Sequence, residues 1–305
     1  MTKKKFLIIL MLLMSLMLSA CVGNQNVAKT GVITLQDGLG REITLQQPPQ
    51  RIVSLAPSVT ETLFFVGAGD QVVGRDTFSN YPPDALDIQD IGGSMGGYSL
   101  ETIVSLKPDL VIAAEINTPE QVSSLENLNL TVFYLANPTD IEGIYTMIQT
   151  VGTLTGHEKN AKKLNSELAA RVNEVTKKVA KTKTTPLVFY ELDGTDPAAP
   201  WTAGPGSFVD LLITTAGGKN VGAGMQSAWG QISIEELLVQ DPDIILLGDA
   251  AYGVTVENVS ARPGWDGLTA VKEQKVYPFN DDLVSRPGPR LIDGLKEMAL
   301  MIHPK

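Results

Sequence analysis

Cysteine and histidine are nearly missing from this sequence. Its 305 residues hold one cysteine, Cys21, and two histidines, His157 and His303. A single thiol excludes an intrachain disulfide framework and a cysteine-held metal cluster. Two histidines, one after Thr155-Gly156 and one third from the end, leave little material for a histidine metal site or a Ser-His-Asp triad. Long apolar runs are scarce too. The one at the N-terminus, Phe6 to Met14 and then Leu16 to Leu18, is shorter than the about 20 residues that a spanning helix needs. Positive charge is in deficit, with 24 Lys+Arg against 34 Asp+Glu. That balance argues against nucleic acid and anionic lipid as partners and permits docking on a basic protein surface.

What is present begins at the N-terminus. Lys3, Lys4 and Lys5 precede the apolar run, as in a secretory signal over residues 1–20. Leu18-Ser19-Ala20-Cys21 then resembles the bacterial lipobox, which implies cleavage before Cys21 and acylation of its thiol; the alternative is a buried thiol placed there by chance. Without residues 1–20 the chain keeps 21 basic and 34 acidic residues, a net charge of −13. Residues 21–33 are small and polar enough to be a tether. The roughly 285 residues of the mature chain suggest two domains.

The body contains a duplication. Ser99-Leu100-Glu101 leads to Lys107-Pro108-Asp109-Leu110-Val111-Ile112, and Ser233-Ile234-Glu235 leads to Asp241-Pro242-Asp243-Ile244-Ile245-Leu246, at a constant offset of 134. Each copy reads as a short helix, a Pro-Asp break and an apolar run of the kind found in strands buried on both faces of a parallel sheet. Ala68-Gly69 with Val73-Gly74 echoes Ala216-Gly217 with Val221-Gly222 at offset 148, and Thr131 to Tyr134 echoes Lys275 to Pro278 at 144. The expected fold class is α/β: two Rossmann-like lobes with parallel sheets, over 34–138 and 184–305. Between them, 139–183 has two helical apolar stripes, Ile144 to Leu154 and Leu164 to Val179. A helix from His157 to Lys181 would span about 38 Å. A coiled-coil face would need to be longer, so the segment is read as a strut joining the lobes. One stiff connection predicts little closure on ligand binding.

Several motifs then carry a family resemblance. Arg51-Ile-Val-Ser-Leu-Ala-Pro-Ser-Val-Thr-Glu61, Val66-Gly-Ala-Gly69, Ser79-Asn-Tyr-Pro-Pro83, Leu100-Glu-Thr-Ile103 and Lys107-Pro-Asp109 resemble the periplasmic-binding family for iron complexes and cobalamin, and most of all its cobalamin-binding members. The resemblance covers about residues 34–303 and implies two lobes bridged by one long helix. It implies a monomer that captures a small-molecule metal chelate for the permease dimer and ATPase of an ABC importer, and no catalysis. It implies no covalently bound cofactor, a corrinoid or other metal chelate being the ligand.

Carried over by motif, the ligand contacts would be Tyr81, Trp201, Trp229 and Arg286. Met95 stands where a ring-facing tryptophan is expected, and Ser94 where some haem binders have a tyrosine. Rigid aromatic faces suit a broad planar ligand, and the three aromatics lie in Pro/Gly-rich loops, where contacts concentrate. Trp265 reads as packing. Glu101 and Glu235, equivalent in the duplication, would pair with permease arginines away from the ligand; they also read as helix-start acids favoured by the dipole. The rival ligands are haem and a ferric siderophore, the latter held by Arg75, Arg286 and Arg290. A two-lobed metalloenzyme is the remote alternative, and it lacks the cysteines.

Overall fold

The computed structural model describes residues 31–93 and 97–304. The signal, Cys21 and Met95 lie outside the described residues. The N-terminal lobe opens with an antiparallel ribbon, β1 (Ile33–Gln36) and β2 (Glu42–Leu45). There follow β3 (Ile52–Ser54), α1 (Pro57–Val66), β4 (Val72–Arg75), α2 (Leu100–Ser105), β5 (Leu110–Ala114), α3 (Pro119–Glu126) and β6 (Val132–Leu135). Two helices come next, α4 (Ile141–Thr155) and α5 (Glu158–Val179). The C-terminal lobe runs β7 (Leu187–Glu191), β8 (Trp201–Ala203), α6 (Phe208–Thr215), β9 (Lys219–Asn220), β10 (Trp229–Gln231), α7 (Ile234–Gln240) and β11 (Ile244–Leu247). It ends with α8 (Val256–Ser260), α9 (Thr269–Lys272), β12 (Val276–Pro278), α10 (Asp282–Ser285) and α11 (Leu291–Ile302).

Both main sheets are parallel and four-stranded. The first is ordered β4-β3-β5-β6 and the second β9-β7-β11-β12. Counted within its own lobe, each therefore runs second, first, third, fourth. The duplication is one of topology as well as of sequence. In such a sheet the order in which strands are added reverses between the first and third strands, and ligands bind outside the carboxyl ends there. The apolar runs of β5 and β11 are buried along their whole length, as strands covered on both faces must be.

The Pro-Asp breaks have a physical reason. Lys107 and Asp241, at equivalent positions, both take left-handed backbone geometry, with φ of 48° and 49°. That turn lets the next aspartate reach back to the first strand of its sheet. Asp109 accepts the amides of Gln50 and Arg51 at 2.8 and 2.9 Å, just ahead of β3. Asp243 accepts the amide of Leu187, the start of β7, at 2.7 Å.

The strut is helical, and shorter than expected. Gly156, at φ 79°, closes α4, and α5 then runs for 22 residues, or about 33 Å. Ala161, Leu168 and Val175, spaced by seven, form its buried stripe. It packs on α1 and α4 of one lobe and α11 of the other. Among the described residues no helix is long and apolar enough to cross a membrane.

Candidate functional site

The carboxyl ends of the two sheets face a common cleft of about 430 Å³. The N-terminal wall begins with Leu55, Ala56 and Pro57, directly after β3, and Ala114 and Ile116, at the end of β5. The C-terminal wall is Tyr252, after β11, with Asp281, Asp282 and Arg286 around α10. The topological crevices of both lobes thus open into one space. A second hollow of about 370 Å³ adjoins it, lined by Leu192 to Thr195, Asp249 and Val254, with Tyr252 shared between the two.

Phe78 and Tyr98 bring aromatic rings to the N-terminal wall. Phe78 is 52% exposed and is aimed by its loop. The Asp76 carboxylate accepts the Phe78 amide at 2.9 Å and the Ser79 hydroxyl, and Ser79 joins Thr60 of α1 at 2.8 Å. Burial pushes the Asp76 carboxyl above its usual range, against those hydrogen bonds. Tyr98 donates to the Leu55 carbonyl at 2.7 Å and accepts from Asn117 at 2.6 Å.

Tyr81 does not line the cleft. Its ring stacks on Phe65 at 6.2 Å, and the Arg290 guanidinium lies 4.0 Å from its centre. This places Tyr81 against a buried ionic cluster that ties the lobes. Glu61 of α1 is fully buried. It accepts two hydrogen bonds from Arg290, at 2.7 and 2.5 Å, and one from Arg286 at 3.1 Å. Arg286 lines the cleft, and its guanidinium is committed: besides Glu61 it reaches Asn80 at 2.8 Å and Asp282 at 2.8 Å. Arg75 is likewise bound to the carbonyls of Ala85, Asp76 and Thr77 in the wall loop.

Trp201 and Trp229 come together away from the cleft wall. Strands β8 and β10 pair antiparallel, with Trp229 opposite Ala203 and Trp201 opposite Gln231. Opposed residues share a face, and so do residues two apart on a strand. Both indoles therefore sit on one side of the ribbon, 41% and 42% exposed. The ribbon is tied to the second hollow, since Leu192 donates to the Trp201 carbonyl at 2.9 Å and Trp201 donates to Asp193 at 2.8 Å. Trp265 is fully buried, edge-on to Phe189.

Glu101 and Glu235 are exposed in the first turns of α2 and α7, each opened by a capping serine, Ser99 or Ser233. Each helix leads into a parallel strand and runs opposite to it. Its first turn therefore lies at the end where the strands finish, and Tyr98 of the cleft is three residues from Glu101. The two glutamates thus stand at the end of each lobe where its parallel strands finish, and neither lines the cleft. Met95 cannot be placed, being outside the described residues.

Sequence reasoning overlooked Phe78, Tyr98, Tyr252 and Glu61. The first three had a usable signal: each lies in a loop that leaves, or returns to, the carboxyl end of a parallel strand.

Residues 52–283 match the family described as periplasmic binding protein. A Bacillus subtilis protein named as an uncharacterized ABC transporter substrate-binding lipoprotein, YvrC, is 33% identical over 89% of this chain and 86% of its own length. A cobalamin-binding protein of Halobacterium salinarum is 32% identical over 89% of this chain and 74% of its own. Among solved structures, the periplasmic heme-binding protein RhuT from Roseiflexus superposes with a TM-score of 0.74 at 27% identity, over 83% of this chain and 97% of its own.

Proposed function

Because the chain belongs to the periplasmic binding protein family, whose members carry substrates and are not enzymes, we propose that it captures a corrinoid between its lobes and delivers it to the permease of an ABC importer. The observation that carries the choice of cargo is the charge of the cleft. Asp76, Asp281 and Asp282 line it. The three arginines that an anionic chelate would need are spent on internal bonds, Arg75 on loop carbonyls and Arg286 and Arg290 on Glu61. Haem propionates or an anionic ferric siderophore would meet carboxylates, with no uncommitted cation among the described residues of the lining. A corrinoid presents neutral amides and a broad face, which suit hydrogen-bond acceptors flanked by Phe78, Tyr98 and Tyr252. The named cobalamin-binding relative supports the same choice.

In this reading residues 1–20 are a signal peptide, Cys21 holds the lipid, and the protein works on the outer face of the cell membrane. Glu101 and Glu235, at the cleft end of each lobe, face the permease together with the cargo. Carboxylate–arginine pairs there would orient the complex as well as attract it. The deciding experiment is tryptophan quenching of the purified protein with cyanocobalamin, haemin and a ferric hydroxamate. Saturable binding of cyanocobalamin is expected. Tight binding of the ferric hydroxamate or haemin with no response to cyanocobalamin overturns the proposed cargo.

A further inference from the structure

The ligand edge of the C-terminal lobe hides an unbalanced charge. Glu191, the last residue of β7, is completely buried, and Arg262 meets both its oxygens at 2.5 and 2.9 Å. That pair is balanced. Beside it, after β11, stands Asp249, only 5% exposed. Its Oδ2 accepts the Gly194 amide at 2.8 Å, while its Oδ1 is buried and has no donor among the described residues. Gly194 stands between the two carboxyls: its amide donates to Asp249, and Glu191 Oε1 lies against its Cα. Two ionised carboxylates cannot hydrogen-bond, and two with one guanidinium leave a buried negative charge unpaired, which is far costlier than a neutral acid. One proton supplies the missing donor and removes the charge.

We propose that Glu191 and Asp249 share one proton, and that this proton holds the second hollow and the Trp201 ribbon in the form that captures ligand. The proposal rests on reading this edge as the ligand edge, not on the identity of the cargo. Gly194 lies directly on the pair: a Cβ there would come within 2.5 Å of Arg262 Nη2 and 2.6 Å of Glu191 Oε1. The loop that includes Gly194 carries the backbone bonds from Leu192 and Asp193 to Trp201. If the proton leaves, the loop over Gly194 is the cover that lifts to hydrate the new charge, and the ribbon moves with it. The other ionisable groups facing the pair do not relieve it. Arg262 is already bidentate to Glu191, the Tyr190 hydroxyl is committed to Asp281 at 2.5 Å, and Asp193 on the rim adds negative charge.

Burial raises Glu191 to about 7, Asp249 is raised for the same first reason, and the proton belongs to the pair. The sign follows. An unfolded glutamate releases its proton near 4.5 and the folded pair near 7, so stability falls as pH rises through that window and is level above it.

The test uses the mature protein and its Asp249→Asn variant, whose amide keeps an acceptor for Gly194 and gives Glu191 a permanent donor. Infrared spectra should show a protonated carboxyl at about pH 5.5 that vanishes by about pH 8.5 in the wild type and is missing from the variant. Acrylamide quenching of tryptophan should increase over the same range in the wild type only. Cyanocobalamin affinity should fall about tenfold from pH 7 to about 8.5 in the wild type and stay flat in the variant. If cyanocobalamin does not bind at all, the cargo assignment fails, and the infrared and quenching titrations still decide the proton site. An absent carboxyl band, a band unchanged in Asp249→Asn, or tryptophan accessibility that ignores pH overturns the proposal.

Discussion

Replacing Glu61 with alanine removes the one carboxylate that Arg286 and Arg290 share across the lobes. Both guanidiniums are nearly buried, with side-chain exposures of 10% and 8%. Breaking a buried pair from one side typically costs about 3–5 kcal/mol, because the remaining charge stays desolvated. Arg286 keeps Asp282 at 2.8 Å, so it is not stranded. Arg290 makes its ionic contacts with Glu61 and otherwise rests on the Tyr81 ring. The loss should therefore sit near the lower end, about 3 kcal/mol. Arg286→Ala should cost less, about 1–2 kcal/mol, since Glu61 keeps both bonds from Arg290. Urea unfolding at neutral pH measures these values, and Glu61→Leu with Arg290→Met should regain most of the loss, as an apolar pair replaces the ionic one. A cost below about 1 kcal/mol for Glu61→Ala, or a double variant no better than the single, would refute the view that this cluster ties the lobes.

Phe78→Ala should weaken cyanocobalamin binding by about 2 kcal/mol, whereas Tyr81→Ala should cost stability more than affinity; calorimetric titration beside thermal melting separates the two. Cys21→Ser should leave the chain soluble or with its signal uncut, and normal processing with retention in the membrane fraction would remove the lipid assignment. Glu101→Arg with Glu235→Arg should abolish cellular uptake while leaving the affinity of the purified protein within about twofold. Normal transport by that double variant would return both residues to the role of helix-start acids.

The sequence made the repeated units legible because their signals are local. Pro108-Asp109 and Pro242-Asp243 stop a helix and start a buried strand within a few residues. The stripe from Leu164 to Val179 marks one helix face for the same reason. The site was harder to read. Tyr81 and Phe78 share one irregular loop, and side-chain contacts decide which ring meets the cleft: Asp76 holds the Phe78 amide, while Phe65 and Arg290, distant in sequence, take the Tyr81 ring. Trp201 and Trp229 become neighbours through strands of three residues, too short to show a period. Glu61 looks like an ordinary helical acid; its partners stand 225 and 229 residues away.

The identical strand order of the two sheets bears on how such a protein changes over time. Each lobe folds around its own sheet and contributes its own loops to the cleft. A mutation in the loops of one copy acts first on that copy's wall. The halves have already drifted apart: the N-terminal wall offers Phe78 and Tyr98, the C-terminal wall Tyr252 with Asp281 and Asp282. Inheritance can thus retune the site one half at a time, while the shared carboxylate at Glu61 keeps the lobes in register.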